Sequence, residues 1–301
     1  MKVGIGTVQF GMAYGAFNRH GRTTIDEVSS ILREAMKWGV SIIDTAPAYG
    51  SSEDVLGQCL PDPHPFFIVT KTPVFQTTVI TEEQAQQLKA TLMRSLEKLG
   101  QSSIYGLLIH HADDLLAEGG QHLYEALQEL KYKGLVQKIG VSLYTARQIE
   151  VIFSHYQMDL VQVPVNMLDQ RLIQGGYLKR LKMCGVEVHA RSAFLQGLLL
   201  TPPEQLPPYF YRIRHHLREY HRFLQSQGLS SEQAALAFLA NLPEIDTIIV
   251  GVETAEQMKQ NLASVQKHLP TVDWAQFAID DPEMVDPRYW LSPFPNAEES
   301  S

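Results

Sequence analysis

A chain of 301 residues suits one large domain or two small ones, and 45% hydrophobic against 19% charged residues implies a substantial core rather than disorder. With 25 Lys and Arg against 33 Asp and Glu, the formal charge is -8, which disfavours broad nucleic-acid binding but leaves room for a local phosphate pocket. Cys59 and Cys184 are the only cysteines, too few for a disulfide framework or a multi-cysteine zinc site. The N-terminal MKVGIGTVQFG lacks the apolar run and cleavage site of a secretory signal, and no stretch of about 20 apolar residues occurs. The expectation is a cytoplasmic protein without membrane or nucleic-acid partners; the sequence sets no oligomeric state.

Short apolar segments read as strands at Val3–Phe10, Ile42–Asp44, Phe66–Thr72, Tyr105–Ile109, Ile139–Leu143, Leu160–Pro164, Glu187–Arg191 and Thr247–Val250. They run apolar without strict alternation, as strands covered on both faces do. Between them, Ile25, Val28, Leu32 and Ala35 share a helical face, as do Leu88, Leu92, Leu96 and Leu99. Capping boxes are expected at Thr24/Glu27, Thr81/Gln84, Ser230/Gln233 and Thr254/Gln257. Gly39, Gly100, Gly134, Gly185 and Gly228 stand where helices should stop.

Eight strands interleaved with helices predict an α/β fold of the closed (β/α)8 TIM-barrel type, residues 1–301 forming one domain with a tail from about residue 280. The Pro-rich 201–208 stretch reads as a loop draped over the barrel, ahead of a helix from about Arg212 to Gln225. Tyr209, Phe210, Tyr211 and Trp290 either wall a channel or pack those loops. The segment Gly4-Ile5-Gly6-Thr7-Val8-Gln9 has Gln where a dinucleotide fingerprint needs its third glycine, so any nicotinamide cofactor is held otherwise.

In such a barrel the strand C-termini converge on the active face. Asp44 closes VSIID, Lys71 closes FFIVTK, His110 follows YGLLI, and Tyr49 lies in the loop beyond Asp44. Carbonyl reduction requires a hydride at carbon and a proton at oxygen. A Tyr hydroxyl can donate that proton, a neighbouring Lys would lower its pKa, an Asp would hold the Lys, and a neutral His would orient the carbonyl. A metal-dependent hydrolase is the competing enzyme class, since Asp113 and Asp114 follow His110-His111, but neither HxH nor HExxH is present.

The strings GTVQFGMAYG, IIDTAPAYGSSEDVLG, VTKTP and LLIHHADD, in that order, resemble the aldo/keto reductase family. The resemblance implies a (β/α)8 barrel that reduces an aldehyde or ketone reversibly with NADP(H), or with NAD(H), bound across its C-terminal face. Its catalytic Asp, Tyr, Lys and His correspond to Asp44, Tyr49, Lys71 and His110. Ser142 and Gln162 correspond to contacts with the nicotinamide carboxamide. Arg191 stands where an aromatic residue commonly stacks on the ring, and Leu143 where Asn often follows the serine. Gly251 corresponds to the phosphate turn, and Gln257 and Asn261 to the adenosine side, Gln257 in place of a frequent Arg. These departures keep open a second reading, a catalytically weak barrel that binds cofactor or a partner protein.

Overall fold

The computed structural model describes residues 2–16 and 21–290. Its parallel strands are β1 (Val3–Gly6), β2 (Ile42–Asp44), β3 (Phe67–Lys71), β4 (Ile104–Ile109), β5 (Val136–Ser142), β6 (Leu160–Pro164), β7 (Glu187–Arg191) and β8 (Thr247–Gly251), closed in that order into a barrel. Closure joins β1 to both β2 and β8, with Gly6 opposite Asp44 on one side and Gly251 on the other. Outside the barrel run α1 (Ile25–Lys37), α2 (Ser52–Cys59), α3 (Glu82–Leu99), α4 (Gln121–Tyr132), α5 (Ala146–His155), α6 (Tyr177–Met183), α7 (Arg214–Ser226), α8 (Ser231–Ala240) and α9 (Ala255–Ser264). No described helix is long and apolar enough to cross a membrane.

The (β/α)8 expectation therefore holds; the third, fourth and eighth strands differ from their expected bounds by a single residue at one or both ends, and two others by more. The first strand ends at Gly6 rather than Phe10, because Val8–Gly11 forms a turn of helix. Thr7 stops the strand: its backbone N–H and its hydroxyl both donate to the Asp44 carbonyl, while its own carbonyl accepts from Phe10 N–H. The fifth strand spans Val136–Ser142 instead of Ile139–Leu143.

Helix ends follow local chemistry. Full capping boxes close α3 at Thr81/Gln84 and α8 at Ser230/Gln233. Thr24 and Thr254 accept from the expected N3 amides, but the reciprocal half of the box is not formed at either. A further box, Thr145/Gln148, starts α5 and has the same T-x-x-Q spacing, which the sequence reading passed over. The five expected stop glycines all have positive φ, between 65° and 74°, where glycine alone avoids a Cβ penalty. Val28, Leu32 and Ala35 are buried as expected, joined by Ile31, whereas Ile25 is exposed; the Leu88–Leu99 face is buried throughout.

The core divides in two. A large shell lies between strands and helices, and a small plug of Ile42, Val69, Leu108, Leu160 and Ile249 fills the barrel itself. The draped-loop reading of 201–208 holds, and the following helix starts two residues later than expected, at Arg214, after 3-10 turns at Pro203–Gln205 and Pro208–Ile213. Phe210 is fully buried, edge-on to Tyr209 and Trp290 at 5.0 and 4.9 Å. The expected tail from about 280 is described only to Trp290; its last residues lie outside the described ones.

At Gly140 an added Cβ would stand 2.0 Å from the Leu160 carbonyl oxygen and 2.7 Å from Leu108 Cδ2. Gly140→Ala is expected to lower unfolding free energy by about 1–3 kcal/mol as the β5–β6 pairing shifts to make room, measured by urea denaturation.

Candidate active site

Strand geometry sets which residues share the site. Side chains two positions apart on a strand point the same way, so the position two beyond each plug residue faces the barrel's C-terminal mouth. From Ile42, Val69, Leu108, Leu160 and Ile249 this step leads to Asp44, Lys71, His110, Gln162 and Gly251. All five line one cleft of about 950 Å³, with Tyr49, Ser142 and Arg191.

Lys71 Nζ donates to both Asp44 carboxylate oxygens, at 2.7 and 2.8 Å, and to the Thr45 carbonyl at 2.9 Å. Gln162 Nε2, reaching across from β6, donates to Asp44 Oδ1 at 2.7 Å. Asp44, Lys71 and Gln162 are all almost wholly buried. Burial opposes the ammonium charge, but Asp44 and then Tyr49 outweigh it and leave the Lys71 pKa above its usual value.

Tyr49 covers this pair. Lys71 Nζ is 4.9 Å from the Tyr49 ring centroid, and the ring meets His110 edge-on at 6.0 Å. The expectation that Lys71 lowers the phenol pKa is corrected: desolvation raises it, Lys71 only partly counters this, and the net direction is upward. His110 is pushed the other way, down to about 3, first by burial and then by the positive charges of Lys71, Arg191 and His111. It is a neutral imidazole, and its Nδ1 is buried without a hydrogen-bond partner. His111 turns instead toward Asp114, at 3.4 Å; Asp114 in turn accepts from the Phe75 and Gln76 amides, so the adjacent histidines serve different places.

Two glycines that the sequence reading did not single out hold the Tyr49 loop. A Cβ on Gly11 would stand 1.7 Å from the Tyr49 carbonyl, and one on Gly50, at φ +59°, would stand 2.6 Å from the Gly11 carbonyl. Only a pair of glycines lets these backbones touch. The signal lay in the glycines of GTVQFGMAYG and AYGSS, inside strings already noted.

Arg191 ends β7, and its guanidinium stacks on Tyr144 at 4.1 Å while Arg288 stacks on the same ring at 3.7 Å. Asp286 holds Arg288 through both carboxylate oxygens, whereas among the described residues Arg191 donates to Leu143 O and Ser192 Oγ. After Arg191 the chain turns sharply: Ser192, Leu195 and Gln196 all have positive φ, a strained run in which Ser192 and Gln196 line the cleft and Leu195 is buried behind it. Nothing in its residue types announced that strain. Tyr209, Phe210, Tyr211 and Trp290 are absent from the cleft wall; Tyr209, Phe210 and Trp290 pack the loops, and Tyr211 is exposed under Arg214.

At the other end of the cleft stand Ser230, Glu232 and Gln233 from the start of α8, Glu253 from the loop after β8, and Gln257 and Asn261 from α9. Asn261 is buried there. Gln257 is engaged in its own helix start, its amide oxygen accepting from Glu253 N–H at 2.8 Å.

The whole chain can also be set beside known proteins. The sequence pattern of the aldo/keto reductase family matches residues 2–279, so the chain belongs to that family. Among its relatives are the L-galactose dehydrogenase of Arabidopsis thaliana, 27% identical over 87% of this chain and 83% of that protein, and the NADH-specific methylglyoxal reductase of Escherichia coli K12, 24% identical over 80% and 83%. Its fold is shared by the holo form of an aldo-keto reductase from Bacillus halodurans, with TM-score 0.73 and 20% identity over 92% of this chain and 90% of that one.

The low His110 pKa carries a pH signature. The unfolded histidine, with its ordinary value near 6.5, takes up a proton before the folded one does. The stability that neutral His110 confers is complete above pH 6.5 and is lost as pH falls from there toward 3. Between pH 6 and 4, urea unfolding of His110→Gln should follow pH less steeply than that of the unsubstituted protein, with a limiting difference of about 1.4 kcal/mol per pH unit.

Proposed function

We propose that the protein reduces an aldehyde or ketone to an alcohol, reversibly, with a nicotinamide dinucleotide lying along the cleft. The observation that carries this reading is the buried Asp44–Lys71 pair beneath Tyr49, with neutral His110 beside it and one open cleft above. The cleft residues fit such a cofactor. Ser142 contributes a hydroxyl at the mouth, and Gln162, its amide nitrogen given to Asp44, keeps its carbonyl oxygen for a carboxamide. Arg191 presents a flat cation suited to stacking on a ring, and Gly251 is exposed at the end of β8 with the Gln9 side-chain amide 2.6 Å from where a Cβ would stand, a polar group at the mouth beside bare backbone. Asn261 and Gln257 belong to the adenosine end, Gln257 chiefly by shaping the turn.

When bound, the reduced nicotinamide supplies the hydride to the carbonyl carbon. The residues of this chain manage the oxygen. Tyr49, kept as a neutral phenol by its surroundings, donates its proton as negative charge grows there. Lys71 stabilises the phenolate left behind, and Asp44 holds Lys71 in place without leaving a net charge beneath the ring. His110, neutral across the physiological range, orients the carbonyl by hydrogen bonding without adding a charge of its own.

Tyr49→Phe tests the assignment because it removes the proton and keeps the ring. With a substrate found by screening carbonyl compounds against NADH and NADPH oxidation, kcat/KM should fall by about 10²–10⁴-fold, the usual contribution of a general acid. Nucleotide affinity and unfolding midpoint should stay within twofold and within error, respectively. A variant that retains kcat/KM would reduce Tyr49 to a wall residue and sink the proposed proton route.

A further inference from the structure

The far end of the cleft bears on which dinucleotide enters it, an inference that rests on the reading above. With the nicotinamide turned toward Tyr49 and His110, the adenosine half lies between the starts of α8 and α9. NADPH differs from NADH there by one 2′-phosphate, a dianionic group that needs free N–H donors and cations.

Both helix starts have already committed several of their donors. At α9, Glu253 N–H donates to Gln257 Oε1 at 2.8 Å, Ala255 N–H to Glu27 Oε1 at 2.6 Å, and Gln257 N–H to Thr254 Oγ1 at 3.1 Å. At α8, Ser230 N–H donates to Gln233 Oε1 and Gln233 N–H to Ser230 Oγ, each at 3.2 Å. The positive end of α9 is thus already answered by a carboxylate brought from α1, which leaves little attraction for a second anion.

The charges act in the same sense. Glu232 and Glu253 line the cleft, and neither forms an ion pair within 4.0 Å among the described residues. Glu27 and Glu256 stand at the same helix start. Lys267 is the one lysine or arginine lining this end among the described residues, and it is exposed; Lys259 turns to Glu256 at 4.0 Å. A 2′-phosphate would meet carboxylates on two sides, whereas a ribose 2′-hydroxyl is a donor that a carboxylate accepts.

We infer that this end selects NADH against NADPH, with Glu253 and Glu232 facing the ribose and Glu27 closing the α9 N-terminus to phosphate. This reverses the order that the family resemblance implies, in which NADP(H) comes first.

Titrating the full-length protein with NADH and NADPH by nucleotide fluorescence tests the inference without any substrate. The expected Kd for NADH is at least tenfold below that for NADPH at low ionic strength, with the gap narrowing as salt screens the repulsion. Glu253→Gln should narrow it at least threefold. Glu27→Gln, whose amide oxygen can still cap Ala255, should narrow it by a smaller factor, with the unfolding midpoint checking that the helix start survives. Equal or tighter NADPH binding overturns the inference alone, leaving the nicotinamide reading intact. A tenfold preference that neither variant changes overturns the carboxylates as its cause. Binding of neither nucleotide at millimolar concentration overturns the proposed function and the inference together.

Discussion

The buried pair of Asp44 and Lys71 is the interaction on which the rest of the site depends. Two charges removed from water persist only if their remaining hydrogen-bond capacity is met, and removing one partner of such a pair costs about 3–5 kcal/mol. Here the Thr45 carbonyl takes a third contact from Lys71, and Gln162 reaches from β6 to Asp44. The site is therefore braced through β2, β3 and β6. Because the pair cancels its own charge, the groups above it respond mainly to burial: the phenol of Tyr49 stays protonated and the imidazole of His110 stays neutral.

Beneath that pair the apolar plug has a second role. Ile42, Val69, Leu108, Leu160 and Ile249 fill the barrel interior and fix the rotational setting of their strands, so each strand must present its next inward residue at the mouth. Polar groups scattered along the chain thereby acquire one common direction. The interior also excludes water below the site, which sharpens the electrostatic effect of each charge above it.

This regularity explains what was legible in the sequence. Asp44, Lys71, His110, Ser142, Gln162, Arg191 and Gly251 each end or follow a recognisable apolar segment, and the period of two carried them to one rim. Legibility failed where tertiary contacts overrode local pattern. The apolar run through Phe10 reads as strand, but Thr7 bonding to the Asp44 carbonyl breaks it into a strand and a turn of helix. The direction of the Tyr49 shift depends on how closely the fold surrounds the ring, which spacing does not encode. The strained turn at Ser192–Gln196 carries ordinary residues in conformations that only the surrounding packing imposes. Glu27 reads as half of a capping box for its own helix; its carboxylate instead serves the start of α9, distant in the chain.

The ring of Tyr144 between Arg191 and Arg288 joins the cleft to a segment close to the chain's end. Two guanidiniums on opposite faces of one ring repel each other, and Asp286 offsets that repulsion by holding Arg288. During synthesis, at about 5–20 residues per second, Tyr144 and Arg191 emerge well before Arg288. The barrel closes when β8 reaches β1, yet the outer face of Tyr144 stays bare until the 286–288 turn follows. The cleft residue Tyr144 thus owes one of its two cationic neighbours to a turn that follows the last strand of the barrel by more than thirty residues.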